Sequence, residues 1–114
     1  MPKQEYVFSG YKSMWLVTMF DLPVKTKKDR KIYAGFRKSL LELGFSMIQF
    51  SVYVRFCNSE EFAQKYRKAI RNTLPECGQV RILTLTDRQF EKMENYVGKI
   101  LNPNENAPKQ LTFF

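Results

Sequence analysis

Asp21 is the residue of this chain whose setting best suits chemistry. It follows the nearly continuous apolar run Met14-Trp15-Leu16-Val17-Thr18-Met19-Phe20 and precedes Leu22-Pro23 and a lysine-rich segment. A carboxylate fixed by a rigid strand can ligate Mg²⁺, a hard cation that takes oxygen ligands and keeps several waters. One aspartate alone makes a poor metal site, but a symmetric dimer could bring two copies of Asp21 to its axis and give one ion two carboxylates. The alternative is structural. An Asp just ahead of a proline commonly accepts backbone N–H groups in an Asx-turn, and spacing does not separate the two uses. Among the other carboxylates, Asp29 and Glu61 fall in helix-capping patterns, Asp87 in a turn, and Glu42, Glu60, Glu91 and Glu94 at ordinary solvated positions. The chain contains no histidine. That excludes a Ser-His-Asp or Cys-His centre, a His-ligated zinc site and the imidazole pair of metal-independent ribonucleases. Hydrolysis by this chain must rest on carboxylates and a metal.

A second kind of chemistry is cation density. Nineteen Lys and Arg against eleven Asp and Glu give a formal charge of +8, which favours a polyanionic partner. Lys27, Arg30, Lys31, Arg37 and Lys38 gather on one side of a candidate helix, where they can follow a phosphate backbone. The plain alternatives are a solvated helix face and a merely basic protein such as a ribosomal one. No apolar run approaches the about 20 residues of a spanning helix, and no signal-peptide pattern opens the chain, so no membrane role is expected. Cys57 and Cys77 show no CxxC spacing and read as reduced, structural thiols of a cytoplasmic protein. Tyr53, Tyr66 and Tyr96 could stack on bases, but core or interface packing explains them equally well, and no base-specific readout is expected.

The elements that must position these residues follow from periodicity. The apolar run ending at Asp21 reads as a strand buried on both faces. Thr26-Lys27-Lys28-Asp29 has the spacing of a capping box and opens a helix to about Leu43, with Ile32, Tyr33, Phe36, Leu40 and Leu43 inward and Gly44 as its stop. From Phe45 to Phe56 the residues alternate. Ile48, Phe50, Val52, Val54 and Phe56 point one way; Met47, Gln49, Ser51, Tyr53 and Arg55 point the other. Asn58-Ser59-Glu60-Glu61 reads as a second capping box, opening a helix with Phe62, Ala63, Tyr66, Ala69 and Ile70 inward and Lys65, Lys68 and Arg71 outward. Leu74 to Gly78 ends that helix, and Gln79 to Thr86 suits an interior strand. Thr86-Asp87-Arg88-Gln89 caps a short helical turn, and the stretch to Leu101 ends in a strand. Residues 1–102 thus form a single nucleic-acid-binding domain, and residues 103–114 a turn-rich linker and an apolar tail, Leu111 to Phe114, that seeks another surface. The expected architecture is an α+β sandwich with helices on one sheet face. The other face, with Tyr53 and Met47 on it, then lacks a cover, and a second protomer supplies one.

Three ordered segments carry a resemblance: Met19-Phe20-Asp21-Leu22-Pro23 after a hydrophobic strand, Gly44-Phe45-Ser46-Met47-Ile48-Gln49-Phe50-Ser51-Val52-Tyr53 after the first helix, and Leu85-Thr86-Asp87-Arg88-Gln89-Phe90. Over about Met14 to Val97 the chain resembles the small CRISPR-associated endoribonuclease that partners the CRISPR integrase, most fully in its type II systems. The resemblance implies a ferredoxin-like β-α-β-β-α-β domain, with a C-terminal strand addition, that forms a homodimer. It also implies a Mg²⁺-dependent phosphodiesterase site whose metal ligand and catalytic carboxylate correspond to Asp21. Basic family positions early in the first helix match Lys28 and Arg30. The family fold further needs a chain reversal within Phe45 to Phe56, near Gln49 to Ser51, where no Gly or Pro marks it. By the same resemblance the dimer bridges two integrase dimers and supports duplex DNA during insertion of new spacers, with single-stranded RNA as a further candidate ligand. Two readings of other kinds stand beside this one: a toxin-like ribonuclease of similar fold acting alone, and a non-enzymatic RNA-binding subunit.

Overall fold

A computed structural model describes residues 12–103. In chain order the elements are β1 (Met14–Asp21), α1 (Lys27–Glu42), β2 (Ser46–Gln49), β3 (Val52–Cys57), α2 (Glu60–Arg71), β4 (Gln79–Thr86), α3 (Asp87–Glu91), β5 (Asn95–Val97) and β6 (Ile100–Asn102). Four strands form an antiparallel sheet of order β2-β3-β1-β4. With the two helices between them, this is the expected ferredoxin-like β-α-β-β-α-β arrangement. The C-terminal addition is a separate two-stranded hairpin, β5–β6, rather than a single strand. The expectation for the tail Leu111 to Phe114 lies outside the described residues. No helix among the described residues is long and apolar enough to cross a membrane.

Helix α1 starts and stops where its sequence demands. Thr26 Oγ1 accepts from Asp29 N at 2.9 Å while Asp29 Oδ2 accepts from Thr26 N at 3.2 Å, closing the expected capping box. At the other end of α1, Gly44 takes φ +87, its N–H donates to Leu41 O and the Phe45 N–H donates to Leu40 O. These paired bonds satisfy the last carbonyls of the helix, and only glycine takes that backbone conformation without strain. For α2 the second capping box does not form. Its cap is Ser59, which accepts from Phe62 N at 3.3 Å, so the position that would close a box is held by Phe62 and not by a glutamate. Phe62, expected inward, is 46% exposed, because Ala63, Tyr66 and Ile70 already fill the contact with the sheet.

The alternating stretch proves to be two strands. Val52 pairs with Gln49 across a turn made of Phe50 and Ser51, at the place the resemblance required. Alternation fixes which residues share a face but not which face meets the helices, and the expected side is reversed. Tyr53 is completely buried in the helix-side core with Leu16, Phe20, Phe36, Leu40 and Ile70. Its ring stacks on Phe20, centroids 5.7 Å apart. Arg55, on the same side, donates to Tyr66 Oη at 2.6 Å and lies over that ring at 4.1 Å, tying β3 to α2. Phe50 also departs from the pattern: the turn brings it onto Tyr33 of α1.

The opposite face carries the uniformly apolar set: Trp15, Val17, Met19, Ile48, Val52, Val54, Phe56 and Leu85. It is partly covered, contrary to expectation. Phe90 of α3 stacks on Trp15 at 4.1 Å, and Trp15 Nε1 donates to Asp87 Oδ1 at 2.7 Å, so α3 closes the Trp15 end. Beyond the Trp15 end there is no such lid, and Leu83, across from Val17 in the middle of the strand pair, is 46% exposed. Of the cysteines, Cys57 is buried as expected, and burial pushes its thiol up from the ordinary value, with Arg55 and Arg67 opposing that. Cys77 is free and exposed, so it is not a packing thiol.

Candidate functional site

Asp21 closes β1, where the strand leaves the sheet. Its neighbours Phe20 and Leu22 are 7% and 6% exposed, so the chain is anchored on either side of a residue that is itself exposed. Asp21 pairs with Gln79 of β4, and the preceding Phe20 N–H donates to Ser51 O of the β2–β3 turn at 3.1 Å. A third constraint comes from the bend ahead of β4. Gly78, at φ +88, lies so close that a Cβ built on it would stand 2.5 Å from Asp21 O and 2.7 Å from Leu22 Cδ2. By sequence, Gly78 has only the task of ending α2. Nothing local in the chain shows that it also packs against the end of β1.

Strand alternation puts Asp21 on the same sheet face as Trp15, Val17 and Met19, at the end without a lid. Gln79 lies directly across from it, and Arg81, opposite Met19, is one step further along the same face of β4. Met19, Phe20, Asp21, Gln79 and Arg81 line a shallow depression of about 170 Å³. Among the described residues the Asp21 carboxylate takes no hydrogen bond or ion pair, so the Asx-turn does not form. The remaining carboxylates are differently placed. Asp29 is in the α1 cap, Asp87 receives the Trp15 indole, Glu60 pairs with Arg67 at 2.6 Å, and Glu94 accepts from Tyr96 Oη at 2.9 Å. No group of three or more His, Cys, Asp and Glu gathers among the described residues. One chain therefore offers one carboxylate at this place. That suits an ion such as Mg²⁺, which binds through one or two carboxylates and keeps its waters, only when a second copy or a substrate phosphate completes the ligand set.

The basic residues of α1 are all exposed, but they do not form one stripe. At about 100° per residue, Lys27, Lys31 and Lys38 lie opposite the buried Phe36 and Leu40. Arg30 and Arg37 stand on the flank that also carries Tyr33. Arg30 Nη1 donates back to Val24 O at 3.2 Å and Lys25 O at 3.1 Å, which holds it beside the loop leaving Asp21. Lys28 is on the other flank, at a pocket shared with Leu22, Pro23, Ile32, Glu76 and Cys77. Of the aromatics considered for stacking, Tyr53 is inaccessible, Tyr66 lies under Arg55, and Tyr96 is exposed on the hairpin.

The comparisons with known proteins agree over nearly the whole chain. The family model described as CRISPR associated protein Cas2 matches residues 14–106. A protein of Flavobacterium psychrophilum is 48% identical over 104 residues, covering 91% of this chain and 90% of that protein. One from Parvibaculum lavamentivorans is 50% identical over 101 residues, covering 89% of this chain and all of the relative. One from Paracidovorax avenae is 44% identical over 108 residues, 95% of this chain and again all of the relative. All three carry the name CRISPR-associated endoribonuclease Cas2. With its sheet order and these matches, the chain belongs to the Cas2 family of CRISPR-associated proteins.

Proposed function

We propose that this chain is a cytoplasmic subunit of CRISPR adaptation, a homodimer that binds duplex DNA, bridges integrase dimers and carries a Mg²⁺-dependent endonuclease site at Asp21. The observation that carries the nuclease part is the Asp21 carboxylate, exposed, without a partner among the described residues, and held by buried residues on both sides. Such a group is free to bind a cation, and its backbone does not have to reorganise to do so. The endoribonuclease name of its relatives supports the same reading. Pairing of two chains over the apolar face beside Asp21 covers Leu83, Met19 and Val52 and brings two Asp21 carboxylates together. Mg²⁺ bound there supplies positive charge for the phosphoryl oxygens as negative charge develops on them. The chain's own contribution is positional: Asp21 holds the ion, Gln79 and Arg81 offer donors beside it, and the α1 cations orient the phosphate backbone.

The scaffold part draws on the +8 charge and on the β5–β6 hairpin, where Tyr96, Val97, Ile100 and Leu101 are exposed and suit a protein contact. The test uses purified full-length protein with single-stranded RNA and duplex DNA, in Mg²⁺ and in chelator. Wild type is expected to cleave only with metal, and Asp21→Asn to lose at least about 100-fold in rate, a loss on the scale of removing one electrostatic group from an active site. The variant should still fold and still retain the integrase in a pull-down. Asp21→Asn cleaving at the wild-type rate would place the activity elsewhere. Failure to retain the integrase would remove the scaffold.

A further inference from the structure

Phe50 is an aromatic ring that the core does not use: it is 75% exposed at the tip of the β2–β3 turn. Tight hairpin turns that need positive φ ordinarily take Gly, Asn or Asp there. Here the turn is Phe50–Ser51, with Ser51 at φ 61. Two bonds hold that conformation. Ser51 O accepts from Phe20 N at 3.1 Å, and Ser51 Oγ lies 2.8 Å from Tyr33 Oη. The Tyr33 ring lies nearly parallel to Phe50, centroids 5.8 Å apart at 16°, and Tyr33 rests in turn on Phe20 at 5.6 Å. One side of the Phe50 ring is thus backed by an aromatic series rooted in the core, and the exposed remainder is held out on a bonded turn.

Its surroundings on α1 are cationic. Arg30 and Arg37 sit about one helical turn before and after Tyr33, on the same flank, and both are exposed. The backbone bonds of Arg30 fix its position without neutralising its charge. A rigid aromatic platform between guanidinium groups is the combination that holds single-stranded nucleic acid, the ring taking a base face and the cations the adjoining phosphates. Bases inside a duplex are already stacked and offer no free face. An apolar protein partner is less suited to a ring that rests on a helix flank carrying two exposed arginines.

We propose that Phe50, backed by Tyr33 and flanked by Arg30 and Arg37, is a stacking platform for an unpaired nucleobase of a single-stranded nucleic acid. The proposal deepens the nuclease reading and rests on it for its purpose, because the Phe20–Ser51 bond ties the platform to the residue before Asp21. A strand stacked on Phe50 lies at the same end of the sheet as the carboxylate.

The test is binding of full-length protein, in chelator so that nothing is cut, to single-stranded RNA and DNA oligonucleotides carrying 2-aminopurine. Wild type should bind and quench the fluorescent base. Phe50→Ala should weaken binding by about 5-fold or more, the scale of one base–aromatic stack, and abolish the quench. Phe50→Trp should retain both, and affinity for a blunt duplex should change less than about two-fold in either variant, since paired bases do not use the platform. The RNA and DNA arms report which sugar the site takes. The proposal is overturned if wild type does not bind single strands, if Phe50→Ala binds and quenches as wild type does, or if that variant loses only self-association, which would make Phe50 a protein contact. The two readings separate cleanly. A Phe50-dependent quench in a protein that never cleaves keeps the platform and removes the nuclease, whereas Asp21-dependent cleavage with no Phe50 effect does the reverse.

Discussion

Gly78 shows how closely the end of β1 is fixed. A side chain there would combine a φ of +88 with a Cβ 2.5 Å from the backbone oxygen of Asp21, an atom that cannot swing away as a side-chain end can. A strained conformation of this kind costs roughly 1–3 kcal/mol before the clash is counted. Gly78→Ala is therefore expected to destabilise the fold by at least about 2 kcal/mol in chemical denaturation. A destabilisation under about 0.5 kcal/mol, the ordinary range of a surface change, would mean that Gly78 does not hold Asp21 in place. Asp21 itself was legible in the sequence, because an apolar run long enough for a buried strand ends on it. The Asx-turn alternative was equally legible, and only the three-dimensional surroundings of the carboxylate set it aside. Gly78 and Phe50 were not legible. The partners of Gly78 are distant in sequence, and the turn that exposes Phe50 has none of the residues by which turns announce themselves.

The extent of α1 is legible in the sequence and the sidedness of the sheet is not, for one physical reason. A helix carries its start and stop signals locally, in the Thr26–Asp29 box and in Gly44, whereas a strand's period of two leaves open which face the helices take. That choice is made by register with β1. Trp15, Val17 and Met19 stand opposite Phe56, Val54 and Val52, and this places Tyr53 with Phe20 and Phe36 under the helices. Of the α1 residues proposed to bind duplex DNA, Lys27, Lys31 and Lys38 share one stripe opposite the buried Phe36 and Leu40. Replacing these three with Ala should leave the helix intact, since alanine favours it and Thr26–Asp29 still cap it. Each phosphate that the variant no longer neutralises should reduce the log–log salt slope for duplex DNA by about 0.9. Anisotropy titrations at several salt concentrations measure this. An unchanged slope and affinity in the folded variant would rule out this stripe as the DNA track.

At the scale of the molecule, the features the fold leaves unsatisfied lie together. The apolar sheet face is closed by α3 at Trp15 and open from the exposed Leu83, across from Val17, to Asp21. In the proposed dimer, symmetric pairing over that open stretch would bury the apolar residues and make one metal position from two chains, each giving a single carboxylate. The most direct measurement is metal stoichiometry, by Mg²⁺ titration calorimetry and Mn²⁺ magnetic resonance on the full-length protein, with its oligomeric state followed by sedimentation. The result predicted is one ion per two chains, abolished in Asp21→Asn while the dimer persists, and abolished together with the dimer when Leu83→Glu places a charge on the open face. One ion per chain, or binding that persists in Asp21→Asn, would contradict it.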